Sequence, residues 1–161
     1  MRRKRVRVYL TAAIAALGLN LFEVMATLNP PPLATAAPNP QTNLHYTAAV
    51  SRLKQKDLQG AMRELNQAIQ LDPSLADAYT LRGVLFMGEK KYQKAIEDFA
   101  QVTHLQPKSA EAYMNLAKSQ LMLKDYRAAL QSATKAKQID PQNQDASLLV
   151  NLAQSLVDSA Q

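Results

Sequence analysis

Cysteine is absent from the 161 residues, histidine occurs twice and glycine four times. Without cysteine there is no disulfide, no thiolate metal site, no cysteine nucleophile and no lipid-modified cysteine of the bacterial lipoprotein kind, so packing alone must hold the fold. The two histidines, His45 and His104, lie far apart in sequence and have no carboxylate cluster beside them, which argues against a zinc centre. Glycine at Gly18, Gly60, Gly83 and Gly88 makes no phosphate-binding loop, and nucleotide binding therefore has no support. No metal and no other cofactor is expected.

Acidic residues are scarce at one end of the chain. Before Pro38 the only acid is Glu23, whereas Arg2, Arg3, Lys4, Arg5 and Arg7 supply five of the 19 bases. The rest of the chain carries 14 bases against 12 acids, so the overall charge of +6 is mostly a property of the N-terminus. A charge concentrated this way is a targeting device rather than the footprint of a nucleic-acid binder, and no nucleic-acid partner is expected. With 47% hydrophobic and 20% charged residues, the balance is that of one globular domain with a tail.

After the basic cluster, Val8 to Phe22 reads VYLTAAIAALGLNLF, the apolar core of a secretory signal. Small-residue cleavage sites fall after Ala26 and after Ala36. An uncleaved anchor is the rival, since Val6 to Leu28 suffices for a membrane-spanning helix if Glu23 is tolerated near its end. Residues 1–28 are thus expected to be a signal peptide or a membrane anchor. Both keep the arginines on the cytoplasmic side and carry the domain out of the cytoplasm, to a periplasm, a lumen or the exterior. An organellar transit peptide fits worse, because the apolar run is continuous and the bases sit at one end. Residues 29–41, NPPPLATAAPNPQ, hold five of the eight prolines and are expected to be an extended linker.

The other three prolines, Pro73, Pro107 and Pro141, are equally spaced, which sets a repeat length of about 34 residues. Leu71, Leu105 and Ile139 keep the same interval, as do Ala61, Ala95 and Ala129, then Ala68, Val102 and Ala136, and Leu58, Tyr92 and Tyr126. Within the middle unit Tyr79, Arg82, Gly83 and Phe86 fall on one face of a helix, and Ala95, Phe99 and Val102 on one face of a second. Each unit therefore reads as a helical hairpin. Ala49, Gly83 and Ala117 on one helix, with Ala61, Ala95 and Ala129 on the other, let the pair approach closely. Asp72-Pro73 and Asp140-Pro141 look like helix starts with a side-chain cap ahead of proline.

These residues resemble the tetratricopeptide repeat family. Tyr79, Gly83, Phe86, Ala95, Phe99 and Pro107 carry the likeness in the middle unit. Tyr113, Leu116, Ala117, Ala129 and Pro141 carry it in the third, where Gln120 and Ala133 replace aromatics, and His45, Ala48, Ala49, Ala61, Leu65 and Pro73 in the first. Arg82 departs from the pattern, standing where an apolar residue is usual, and its stem is expected to pack while its head reaches solvent. The resemblance implies an all-α fold, a right-handed superhelical stack of three helical hairpins plus a C-terminal capping helix, or α-α solenoid. The repeats would span 42–75, 76–109 and 110–143 within a domain of 42–161, with the cap at 144–159. Leu148, Leu152 and Leu156 form one stripe of that cap, and seven helices are expected in all.

By the same resemblance, the first helix of each hairpin lines a groove that grips an extended peptide or a partner helix. The residues offset from its packing face are Tyr46, Val50 and Leu53, then Thr80, Val84 and Met87, then Met114, Lys118 and Leu121. Mostly apolar, and with two adaptable methionines, the set lacks the lysine and asparagine arrangement by which chaperone-binding relatives clamp a terminal carboxylate, which favours a mixed or hydrophobic partner. The opposing reading is that Val50, Val84 and Leu121 pack first helices against one another. Lys118 is either a solvated edge or an anchor for a ligand carboxylate. Lys90, Lys91, Lys94 and Glu97 read as solvated surface.

Ser51-Arg52-Leu53-Lys54 and Ser132-Ala133-Thr134-Lys135 match the serine-lysine pairing of penicillin-binding enzymes. The accompanying serine-aspartate-asparagine and lysine-threonine-glycine elements are missing, so no catalytic residue is assigned and the chain is not expected to be an enzyme. The expectation is a non-catalytic protein-protein interaction module, an extracytoplasmic adaptor or assembly factor. The alternative is a self-associating scaffold subunit, a homo-oligomer within an envelope complex.

Overall fold

The computed structural model describes residues 40–160. The expected signal or anchor at 1–28, and the linker up to residue 39, lie outside the described residues. Seven helices follow one another: α1 Pro40–Lys54, α2 Leu58–Leu71, α3 Ala76–Gly88, α4 Tyr92–Leu105, α5 Ala110–Met122, α6 Tyr126–Ile139 and α7 Gln144–Ser159. Among the described residues there is no strand, and no helix is long and apolar enough to cross a membrane. The fold is the expected α-α solenoid of three hairpins, α1–α2, α3–α4 and α5–α6, closed by α7.

Local chemistry sets the helix ends. Pro40 opens α1 slightly ahead of the expected boundary, because its missing N–H is one that a first helical turn leaves unbonded anyway. Asp57, Ser109, Asp125 and Asn143 cap α2, α5, α6 and α7 through side-chain oxygens that accept from Gly60 N, Ala112 N, Ala128 N and Ala146 N. Asp72 and Asp140 do not start helices, contrary to expectation. They end α2 and α6, and their carboxylates accept from the backbone N–H groups of Ser74 and Gln142, folding the turn that the following proline begins.

Small residues fill the middle of each hairpin. Ala49, Ala61, Ala95, Ala117 and Ala129 are wholly buried, as the close approach of two helices requires. At Gly83 a β-carbon would lie 2.9 Å from the Phe99 ring. The hairpins join because each second helix packs against the first helix of the next unit. Ala49, Leu65 and Ala68 meet Ala78 of α3; Ala76 and Val102 meet Ala112 of α5; Met114 and Ala136 meet Ala146 of α7. One apolar seam thus runs the length of the domain, with Phe99 and Leu65 its largest fully enclosed side chains.

A polar column runs beside the seam, at positions that the apolar periodicity does not mark. Glu64, Asp98 and Ser132 lie one repeat length apart on the three second helices, and each takes a partner from the first helix. Glu64 receives Arg52 Nε at 3.3 Å and His45 Nδ1 at 2.8 Å; Asp98 receives Arg82 Nε at 2.9 Å and Nη2 at 2.7 Å; Ser132 Oγ donates to Gln120 Oε1 at 2.7 Å. The Arg82 head is therefore not free in solvent, contrary to expectation: its side chain is 20% exposed, and its nitrogens are engaged by neighbouring side chains. Its guanidinium holds Asp98 in a fork, donates to Asn66 Oδ1 at 2.8 Å and lies over the rings of Tyr79 and Phe86.

The column is expected to make the first hairpin acid-sensitive. The hydrogen bond from His45, aided by the Arg52 charge, holds the Glu64 carboxyl below its ordinary range, and the Gly60 N–H together with Arg52 does the same for Asp57. A carboxyl whose folded pKa lies below its unfolded value contributes its stabilisation above the unfolded value and loses it as pH falls through the folded one. Thermal melts from pH 7 to pH 3 should show Glu64→Gln less stable than the wild type at neutral pH, with the two converging on the acid side. Parallel curves would mean that the Glu64 pairing contributes nothing.

Candidate functional site

Every residue of the candidate groove sits on the first helix of a hairpin, because only those helices present a side not covered by the second helices. Spacing of four and then three residues keeps each trio on one stripe. The stripe is less open than its composition suggests. Tyr46 packs on the seam formed by Ala49, Leu65 and Ala68, and burial together with the Asp77 charge raises the pKa of its hydroxyl. Val50, Leu53 and Leu121 are half-buried, in keeping with contact between neighbouring first helices. Thr80 is half-buried and donates back to Ala76 O at 3.0 Å.

The two methionines do not form an adaptable pair on an open surface. Met114 is only 8% exposed, enclosed with Ala136 and Ala146, and is a core residue. Met87 packs beside Ala95, Phe99 and Leu116 while its sulfur accepts from Ser119 Oγ at 3.1 Å. Of the nine residues, Val84, at 51% exposure, and Lys118 stand in solvent.

α7 adds what the sequence reading placed elsewhere. Its packing face is Ala146, Leu149 and Ala153, not the leucine stripe. Alanine at 146 and 153 lets α7 settle close to α5 and α6, which leucines at those positions would prevent. Leu148 and Leu152 consequently stand 65% and 50% exposed. The signal that would have located them was present: steps of one repeat length lead from Thr80 through Met114 to Leu148, and from Val84 through Lys118 to Leu152. α7 thus occupies the register of a first helix, and its exposed leucines continue the stripe.

The stripe is bounded by charge of opposite sign at its two ends. Asp77, Glu111 and Asp145, again one repeat length apart, lie in the first turns of α3, α5 and α7, where the helix dipole favours them. Lys54, Lys90 and Lys124 lie at the far ends of α1, α3 and α5. Between these ends, Lys118 is the only charged member of the stripe.

Two family models match the chain, one described as "Tetratricopeptide repeat" over residues 80–144 and one as "TPR repeat" over residues 51–89. No curated protein matches it. Among solved structures, the Arabidopsis OM64 TPR domain is similar at a TM-score of 0.64 with 21% identity, the match covering 71% of this chain and 94% of that one. The first TPR of Spaghetti (RPAP3) bound to the HSP90 peptide SRMEEVD is similar at 0.68 with 16% identity, covering 73% and 94%. The Sgt2 TPR domain from Aspergillus fumigatus gives 0.67 with 18% identity, covering 77% and 83%. At these identities the likeness is one of fold.

Proposed function

Because the chain belongs to the tetratricopeptide repeat family, its repeats lying within residues 51–144, we propose that it is a non-catalytic adaptor or assembly factor binding a partner peptide or helix along the stripe of its first helices. The observation that carries the proposal is the row of exposed apolar side chains in register, Val84 and Leu152 with Lys118 between them. An isolated exposed leucine means little, but apolar residues repeated at one structural position on successive helices form a surface. Two of the similar structures hold peptides, SRMEEVD on Spaghetti (RPAP3) and SGPTIEEVD on the second TPR domain of human RPAP3. Both sequences end in acids. With Lys118 as its single base, the stripe of this chain suits an apolar segment with at most one acid better than such an acidic tail. The basic cluster and apolar run of residues 1–22 support placing the domain outside the cytoplasm, as an exported or membrane-tethered protein.

The test is a cross-linking pull-down of the tagged full-length chain from soluble and membrane fractions, with a Val84→Glu/Leu152→Glu variant alongside. Both side chains are at least half exposed, so helicity should hold while recovery of a specific partner falls about tenfold. Equal recovery by the two proteins would remove the stripe from the reading, and the fraction that yields the partner tests the location.

A second reading, self-association, has its own observation. Met114 is covered by α7, whereas Leu148, in the same register one helix later, is 65% exposed and covered by nothing among the described residues. A second copy stacked on α7 would bury it, as heterologous stacking of solenoid units does. Sedimentation over a concentration series, with Leu148→Lys as the comparison, separates this reading from the first.

A further inference from the structure

The three turns that join first to second helices share an unusual choice of residue. Lys56, Lys90 and Lys124 have φ of 61°, 58° and 66°, and they are the described non-glycine residues with positive φ. Each follows the last turn of a first helix. Its N–H returns to Leu53 O, Met87 O or Leu121 O, and the next N–H to Arg52 O, Phe86 O or Gln120 O, the paired bonds of a left-handed helix termination. Glycine is the ordinary occupant of that position, because a β-carbon there is costly. Lysine in all three turns costs conformational energy without gaining an ion pair: Lys56, Lys90 and Lys124 make none among the described residues.

The same edge displays apolar side chains. Leu58, Met122 and Leu123 flank the first and third turns at 49%, 51% and 44% exposure. Lys54 and Arg127 add positive charge that makes no ion pair among the described residues, and the C-terminal end of α7 lies beside the third turn, where Val157 and Ala160 line a shallow recess with Lys124, Asp125 and Tyr126. The opposite edge, built from the turns between hairpins, carries Asp72, Asp77, Glu111, Asp140 and Asp145 against two bases, Lys108 and Lys137. The first edge also carries Asp57 and Glu89, paired with Arg52 and Lys91, and Asp125, and it remains net basic and studded with exposed leucine and methionine, while the opposite edge is net acidic.

Exposed bases interleaved with exposed large apolar residues match the interface of a bilayer carrying anionic headgroups, where the amines meet phosphate and the apolar side chains enter the acyl boundary. A purely solvated edge explains the lysines but leaves Leu58, Met122 and Leu123 in water. We propose that the edge formed by Lys56, Lys90 and Lys124 with Leu58, Met122 and Leu123 docks on anionic phospholipid, with the acidic edge turned outward and the stripe of the first helices left free. The inference is independent of the partner reading, since it uses none of the stripe residues.

The absence of cysteine allows a position-specific test in the full-length chain. An environment-sensitive fluorophore is attached to Leu123→Cys, and in a second protein to Gln142→Cys on the acidic edge. Each is mixed with phosphatidylcholine vesicles, with or without about a third of phosphatidylglycerol, containing brominated acyl chains as quencher. Quenching is expected at 123 with the anionic vesicles only, to be reversed by salt, and not at 142. An N-terminal segment that holds the chain on both kinds of vesicle would not produce that pattern. The Lys56→Gly/Lys90→Gly/Lys124→Gly variant, whose turns suit glycine, should keep or raise its Tm. Removing three charges should lower occupancy of the docked state on the order of a hundredfold, so quenching at 123 should fall to the neutral-lipid level. No quenching at 123, equal quenching with neutral vesicles, equal quenching at 142, or quenching unchanged in the glycine variant would each overturn the proposal.

Discussion

Arg82→Leu is expected to lower the unfolding free energy by about 3–5 kcal/mol, although it restores an apolar residue where the repeat pattern has one. Asp98 is 4% exposed, and its carboxylate is held by two guanidinium nitrogens. Taking the arginine away leaves a buried carboxylate without its two guanidinium donors. The pair also explains why the Arg82 pKa is raised, chiefly by its hydrogen bonds to Asp98 against an opposing cost of burial. Removing both members should do much less harm than removing one, because two leucines of adequate volume neither need solvent nor lack a partner. Urea denaturation of Arg82→Leu, Asp98→Leu and the double variant measures the coupling. A single-variant loss under about 1 kcal/mol would place the pair among surface ion pairs.

Met114→Glu should be nearly as damaging, at about 3–5 kcal/mol, because it puts an unpaired carboxylate between Ala136 and Ala146 at the joint of the third hairpin with α7. Met114→Leu conserves volume and should cost under about 1.5 kcal/mol. The ranking among glutamate substitutions is the sharper test. Val84→Glu should be nearly neutral, Met87→Glu intermediate and Met114→Glu the worst, although the sequence alone groups all three on one stripe. A Met114→Glu protein as stable as Val84→Glu would show that α7 does not cover Met114 in solution. The same ranking decides which variants report on partner binding, since lost capture by an unfolded Met114 variant carries no information about the stripe.

The architecture is legible because its signals are local and repeated. Evenly spaced prolines, alanines at the helix crossings and a pattern of three or four residues between apolar positions each depend on a few neighbours. Their agreement across three units names the fold. Some local signals mislead all the same: Asp72 and Asp140 read as belonging to the helix that follows rather than to the one they terminate, because an aspartate ahead of proline serves a turn as well as a cap. The polar column of Glu64, Asp98 and Ser132 is equally periodic, but apolar repeats draw the eye to the seam and not to what runs beside it.

The sequence by itself determined the number of hairpins and the side on which each pair of helices touches, since Gly83, Ala49 and Ala117 leave room there for a close approach. It also contained the lysines of the three turns, though not the left-handed backbone that makes them costly. Only the tertiary structure decided which of two neighbouring stripes on a first helix is open. A helix turns about 100° per residue, so Met114 and Lys118 differ little in sequence position and share a stripe. Their fates diverge because Met114 is enclosed with Ala136 and Ala146 of the neighbouring helices, whereas Lys118 points into solvent. Arg82 and the leucines of α7 teach the same lesson: burial and partnership belong to the placement of the neighbouring helix, which no single helix encodes.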